Sequence, residues 1–301
     1  MEKEVRLREV GPRDGLQNEQ AWINTEDKIN LINALGETGL PYIEMTSFVH
    51  PKWIPALADA SEVVKGIKRR PGVTYGALVP NEKGLERALE AGIDEVSVFI
   101  SASETHNQKN INKTIDETFP VLKNVIDVAK KEGKTVRGYV STVFGCPYEG
   151  EINQSLLVRT VEQLMEMGVD ELSLGDTIGV ATPNRVKDVL SLLDFVPIDQ
   201  IALHFHDTKG MAVANVVAGL EKGVIAFDGS VGGLGGCPYA PGAAGNVATE
   251  DLLYLFQGLG LHTGVDMDAL LDCAMFVQGK LHKTLPSHNL QAKMGAGGER
   301  L

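Results

Sequence analysis

Four times in this chain a helical stretch hands over to a strand-like one through the same pattern of any residue, glycine and an aliphatic side chain. The copies are Thr38-Gly39-Leu40, Ala91-Gly92-Ile93, Met167-Gly168-Val169 and Lys222-Gly223-Val224. Glycine supplies the left-handed conformation that ends a helix, and the aliphatic residue packs the turn before the next strand. Short apolar or β-branched segments recur at matching intervals and predict strands over Val5–Val10, Tyr42–Phe48, Thr74–Pro80, Glu95–Ser101, Val136–Phe144, Glu171–Asp176, Ile201–His206 and Ala226–Gly229. Helical periodicity fills the intervals. Thr25 to Lys28 reads as the cap of the first helix, and Thr182-Pro183 as the start of the helix after the sixth strand.

Strict alternation of strand and helix implies parallel strands with right-handed crossovers, either closed or open. A closed (β/α)8 TIM barrel is the expected fold. The chain has 301 residues, which suits one barrel of ~250 residues with extensions. Gly11 and Gly15 do not make the glycine-rich turn of a dinucleotide site. The expected organisation is therefore one TIM-barrel catalytic domain over residues 1–301, with residues 266–301 as a C-terminal helical extension capping the barrel. The glycine-rich stretch from Gly232 to Asn246 reads as a mobile loop beyond strand eight.

Hydrophobic residues make up 43% and charged residues 23% of the chain, an ordinary balance for a large buried core. The formal net charge of -12 argues against nucleic acid or anionic lipid as a partner, since such binding draws on clustered Lys and Arg. The three cysteines, Cys146, Cys237 and Cys273, fit neither a disulfide framework nor a metal knuckle, so a reducing cytoplasm is expected. No apolar run approaches the ~20 residues of a membrane span, and the first ten residues lack an apolar signal core.

The chemistry-bearing residues gather at predicted strand ends. His204 and His206 are two apart on a strand, so they share a face; they read either as hydrogen-bonded core histidines or as metal ligands. Asp14, in Gly11-Pro12-Arg13-Asp14-Gly15-Leu16-Gln17-Asn18, reads alone as a turn aspartate. Barrel closure changes this, because strand eight returns beside strand one and brings Asp14, His204, His206 and Asn246 to one mouth. A carboxylate, two imidazoles and an amide oxygen suit Mg2+ or Mn2+ better than a closed structural zinc site, with zinc and cobalt left open. Arg13 is placed to face developing oxyanion charge or to make a structural ion pair, with Glu44 of strand two as candidate partner. Asp176 is a further mouth carboxylate, either orienting a base or serving its own turn. Cys237 lies in the glycine-rich loop, Cys146 follows strand five beside Pro147 and is a second candidate for the mouth, and Cys273 reads as packing.

Together, the Gly11–Asn18 motif, Gly175-Asp176-Thr177-Ile178-Gly179, His204-Phe205-His206-Asp207-Thr208 and the Gly235 to Asn246 loop resemble those of the hydroxymethylglutaryl-CoA lyases, over nearly the whole chain. The resemblance implies cleavage of 3-hydroxy-3-methylglutaryl-CoA to acetoacetate and acetyl-CoA, the chemistry of leucine degradation and ketone body formation. It implies Asp14, His204, His206 and Asn246 as ligands of a divalent metal, Arg13 as the enolate stabiliser and Cys237 as a loop thiol in proton transfer. It also implies that Glu44, Asp176 and Glu250 matter for activity. Family members carry a lysine after the Leu16–Glu19 stretch that helps hold CoA phosphate; this chain has Gln20 there. The expected partners are an acyl-CoA substrate and a second copy of the chain in a dimer.

Two other enzymatic readings are compatible with the same motifs. One is a lyase for longer branched 3-hydroxyglutaryl-CoA esters. The other is a condensing acyltransferase of the isopropylmalate or homocitrate synthase type, whose first-strand motif is typically Asp-Arg-Glu where this chain has Pro12-Arg13-Asp14.

Overall fold

The structure is a computed structural model and describes residues 4–19, 21–236 and 245–296. Eight strands, β1 (Arg6–Glu9), β2 (Tyr42–Ser47), β3 (Thr74–Leu78), β4 (Glu95–Ser101), β5 (Thr135–Ser141), β6 (Glu171–Asp176), β7 (Ile201–Phe205) and β8 (Ala226–Gly229), form a closed parallel barrel in sequence order. Closure is direct: Arg6 to Glu9 of β1 run beside Ala226 to Gly229 of β8.

The helices alternate with the strands as α1 (Thr25–Gly36), α2 (Ala60–Gly66), α3 (Glu82–Ala91), α4 (Glu104–Ile111), α5 (Ile115–Lys131), α6 (Gln154–Glu166), α7 (Pro183–Leu192) and α8 (Ala212–Glu221). Helix α9 (Thr249–Gly258) follows β8 and packs on it and on α8, and beyond it come α10 (Met267–Leu281) and α11 (His288–Ala296). Helix α10 packs on α1 and on the turn Val231–Gly233, and α11 packs on α9 and α10.

The four repeated glycines behave as their pattern predicts. Gly39, Gly92, Gly168 and Gly223 have φ of 88°, 90°, 89° and 95°, the left-handed region where a Cβ is strained. Helix α7 starts as expected, with the Thr182 side chain as cap and Pro183 in the first turn. Helix α1 starts one residue early: the Asn24 side chain, not Thr25, accepts the Asp27 amide at 2.8 Å. Strand β5 ends before the predicted Phe144 because Thr142 turns to φ 60°, its amide donating to Thr177 Oγ1 at 2.8 Å.

The aliphatic core lies between barrel and helices, as in Leu31, Ile32 and Leu35 of α1 and Val125, Ile126 and Ala129 of α5. Inside the barrel, where branched aliphatics usually dominate, this chain places charges. Arg137 is fully buried and pairs with Glu171 at 2.9 Å, and Arg8 reaches the other Glu171 oxygen at 2.6 Å. Among the described residues, no helix is long and apolar enough to cross a membrane.

Candidate active site

After β1 the chain makes one tight turn, and its sequence dictates the shape. Pro12 has no N–H to satisfy, and the amides of Arg13, Asp14 and Gly15 all reach the Val10 carbonyl, at 3.1, 2.7 and 3.4 Å. A Cβ on Gly11 would meet Glu9 Oε1 at 2.5 Å and one on Gly15 would meet Leu234 Cβ at 2.6 Å, so both glycines are there for close approach. The turn presents Arg13 and Asp14 at the mouth, against a cavity of about 500 Å3 that they line together with His204, His206 and Tyr139.

Strand β7 delivers both imidazoles to this point. Asp14 Oδ2 lies 3.9 Å from Nε2 of His204 and 3.9 Å from Nε2 of His206. Ligand atoms of the three residues all fall within 4.8 Å of one another. Asn246 arrives from beyond the glycine-rich loop, donating Nδ2 to Asp14 Oδ2 at 2.8 Å and to the Leu234 carbonyl at 3.2 Å. The four residues that the sequence nominates as ligands therefore stand together.

The electrostatics of this cluster fit a cation. Burial, with His204 as neighbour, lowers the pKa of His206 to about 4, so its ring is neutral at neutral pH. His204 Nδ1 meets Asp228 Oδ2 at 3.1 Å, and its Nε2 faces Asp14 Oδ2 at 3.9 Å. Burial opposes the charge on Asp14, but Arg13 and the two histidines outweigh it and hold the carboxyl at about 2. A carboxylate oxygen and two imidazole nitrogens thus converge, a donor set that a divalent cation fits.

Arg13 donates Nε to Glu44 Oε2 at 2.5 Å and Nη1 to Asp14 Oδ1, and its guanidinium carbon lies 5.1 Å from the Tyr139 ring centre. Burial works against its charge, but Glu44 and Asp14 outweigh burial and raise its pKa. Glu44 is sealed from solvent, as its strand alternation predicts, and its carboxylate also accepts the Tyr139 hydroxyl at 3.1 Å.

The other nominated residues sit further out. Asp176 accepts the amides of Val180 and Ala181 at 2.9 and 3.0 Å, the turn role, and burial pushes its carboxyl up to about 6. Glu250 opens α9 and accepts the Gly232 amide at 2.9 Å, fixing the root of the glycine-rich loop; burial lifts it to about 8. That loop is pinned at both described ends. Gly232 and Gly233 are buried, and the Gly245 carbonyl accepts the Asp207 amide at 2.8 Å. Cys237 and Gln20 lie outside the described residues. Cys146 does not line the cavity; its sulfur packs 3.0 Å from Ser103 Oγ. Cys273 is a packing residue on α10, its thiol pushed up to about 12 by burial.

Sequence reading missed Glu9, Tyr139, Arg137 and Asp228. Glu9 is fully buried and accepts the Gly11 amide, the Val231 amide and the Thr249 hydroxyl at 2.7, 2.9 and 2.6 Å, tying the Asp14 turn to the β8 loop. Asp228 stands beside His204 in the sheet register.

The model of the HMGL-like family matches residues 4–277. The chain belongs to the HMGL-like family. A hydroxymethylglutaryl-CoA lyase, YngG, of Bacillus subtilis (strain 168) is 59% identical over 96% of this chain and 97% of its own. A protein of Pseudomonas aeruginosa named 3-hydroxy-3-isohexenylglutaryl-CoA/hydroxy-methylglutaryl-CoA lyase is 50% identical over 96% of this chain and 97% of its own. The structure of an HMG-CoA lyase from Acinetobacter baumannii, in complex with coenzyme A and 3-methylmalate, superposes with a TM-score of 0.92 at 41% identity, covering 96% of this chain and 95% of that one. The family assignment agrees with the closed barrel and with the resemblance drawn from the four motifs.

Proposed function

We propose that this protein is a divalent-metal-dependent carbon–carbon lyase that cleaves 3-hydroxy-3-methylglutaryl-CoA to acetoacetate and acetyl-CoA. The observation that carries the reading is the meeting of Asp14, His204 and His206 at the cavity mouth with the Arg13 guanidinium on the same carboxylate. The high identity to proteins of that name over almost the full chain supports it. We read residues 1–301 as one catalytic unit, working as a dimer in the cytoplasm on an acyl-CoA.

Asp14, His204, His206 and the Asn246 amide oxygen would hold the metal, with Mg2+ or Mn2+ as the ions that best suit the donors. A divalent cation held there would supply Lewis acidity toward a substrate hydroxyl. The reaction removes the proton from the C3 hydroxyl, forms the C3 ketone of acetoacetate, and breaks the C2–C3 bond so that its electron pair leaves on the thioester as an enolate. With His204 committed to the cluster, Asp176 is the proton acceptor, acting through water; its pKa of about 6 suits proton uptake near neutrality. Arg13 stabilises the enolate oxygen, and Glu44 holds the guanidinium in place. The Cys237 thiol then protonates the enolate carbon to complete acetyl-CoA; Glu250 supports its loop through Gly232.

The test is direct. Purified protein given hydroxymethylglutaryl-CoA and Mg2+ should release acetoacetate, and a chelator should abolish it. No acetoacetate from metal-loaded, folded protein overturns the substrate assignment; acetyl-CoA released only from longer 3-alkyl esters, with the matching longer 3-oxo acid, would redirect it to the branched-chain lyases, and consumption of acetyl-CoA with a 2-keto acid to the condensing enzymes.

A further inference from the structure

Arg137 of β5 is the largest fully buried side chain in the molecule's described part, and all of its polar reach is spent inside the barrel. Nη2 donates to Asp228 Oδ1 at 2.5 Å. Asp228 Oδ2 in turn accepts from His204 Nδ1 at 3.1 Å and from Ser173 Oγ at 3.0 Å. Nη1 donates to the Tyr139 hydroxyl at 2.7 Å, and that hydroxyl donates onward to Glu44 Oε2, the oxygen that also accepts Arg13 Nε. Nε completes the fork on Glu171, which Arg8 holds from the other side.

One guanidinium thus sits at the root of two chains of hydrogen bonds. The first ends on a ring of the metal-ligand cluster and the second on the cation next to it. A buried arginine is costly to desolvate, and a hydrophobic side chain of similar volume would fill a barrel interior as well. The rigid fork has a geometric use here: its nitrogens hold fixed angles, so Asp228 and Tyr139 are held in a constant relation. A lysine, with one nitrogen on a flexible stem, cannot make three such bonds in fixed directions.

We propose that Arg137 is a positioning residue shared by both halves of the active site, setting the His204 ring through Asp228 and the Arg13 guanidinium through Tyr139 and Glu44. The inference rests on the metal-dependent lyase reading. Outer partners of metal-bound histidines typically change metal affinity by about 10–100-fold when altered. The two chains therefore predict different signatures. Asp228→Asn keeps the shape and removes the charge behind His204, so it should weaken Mn2+ binding. Tyr139→Phe keeps the ring under Arg13 and removes the hydroxyl that joins Arg137 to Glu44, while Asp228 stays behind His204, so it should lower kcat and leave Mn2+ affinity intact. Arg137→Lys should do both.

The experiment measures Mn2+ affinity of the apo-protein without substrate, by electron paramagnetic resonance, alongside kcat with hydroxymethylglutaryl-CoA and circular dichroism for folding. Supporting results are at least tenfold weaker Mn2+ binding in Asp228→Asn, unchanged Mn2+ binding with at least tenfold lower kcat in Tyr139→Phe, and both losses in Arg137→Lys. A folded Arg137→Lys within twofold of wild type on both readouts overturns the proposal. So does an Asp228→Asn protein that binds Mn2+ like wild type, or a Tyr139→Phe protein with wild-type kcat, and these two decide the matter if Arg137→Lys does not fold. Wild-type protein that binds no Mn2+ would instead refute the metal-dependent reading itself.

Discussion

Arg13 and Glu44 form a buried ion pair, Nε to Oε2 at 2.5 Å, one step removed from the carboxylate of Asp14. The pair links catalysis to stability, because removing the cation leaves Glu44 charged or forces it to take a proton. Arg13→Met should lower kcat by at least about 100-fold, the usual effect of losing one oxyanion donor. It should also destabilise the fold by about 3–5 kcal/mol, as an uncompensated buried charge does. Adding Glu44→Gln should recover stability in urea melts without recovering turnover. Single and double variants with equal stability would show that the pair contributes nothing to the fold.

Metal occupancy should be readable without substrate. A ligand that binds only the folded state at 100 times its Kd adds about 2.7 kcal/mol. Mn2+ is therefore expected to raise the melting temperature of the apo-protein, and Asp14→Asn or His206→Ala should remove most of that rise. An equal rise in both variants would place the ion elsewhere.

Most of this site was legible in the sequence because its parts lie at strand ends whose order was readable. His204 and His206 share a face by strand periodicity, and Asp14 and Asn246 join them once β1 and β8 are neighbours. Asp228 escaped because its meaning depends on register: only the pairing of His204 with Asp228 across β7 and β8 shows that the carboxylate backs the ring. Arg137 and Tyr139 did carry a signal, for in Thr-Val-Arg-Gly-Tyr-Val-Ser every second residue from Thr135 to Ser141 is polar or polar-tipped, which marks a polar barrel interior on that strand. Glu9 carried a signal as well, since period two puts it on the face of Val5 and Leu7 and opposite Arg6 and Arg8, but its partners come into view only where the chain turns at Gly11.

The two structural carboxyls at the β8 loop should leave a signature in pH. Burial raises Glu250 from its ordinary 4.5 to about 8 and Glu9 to about 7. The folded protein then binds more protons than the unfolded chain between pH 4.5 and these values. The contribution is complete below about 4.5 and is lost as pH climbs toward 7 for Glu9 and 8 for Glu250. Glu250→Gln keeps an acceptor for the Gly232 amide and cannot ionise, so its urea midpoint should fall less between pH 5 and 8 than that of the wild type. A Glu250→Gln midpoint that falls as far as that of the wild type over this range would show that Glu250 is already ionised in the folded state.

Cys237 is assigned to chemistry alone, which separates it from the ligand cluster. Cys237→Ala should lower kcat by about 10²–10⁴-fold, the range for losing one proton-transfer group, with Mn2+ affinity unchanged. Wild-type turnover in this variant would remove the thiol from the reaction.

Gly15 offers a test of how tightly the Asp14 turn is docked. Its Cα faces the β8 loop so closely that a Cβ would lie 2.6 Å from Leu234 Cβ and 2.8 Å from Ser230 Oγ. Both neighbours are fully buried, so neither side chain can swing away. Leu234 also supplies the carbonyl that accepts from Asn246 Nδ2. Gly15→Ala should therefore push Asp14 and Asn246 apart and not merely crowd the core. We expect a stability loss of about 1–3 kcal/mol, the usual cost of overpacking. We also expect Mn2+ affinity to fall by more than the tenfold at which the backing carboxylate Asp228 is set, since this change moves ligands themselves. An alanine variant of reduced stability but wild-type Mn2+ affinity would mean that the turn and loop shift together, and that the cluster tolerates the movement as a rigid unit.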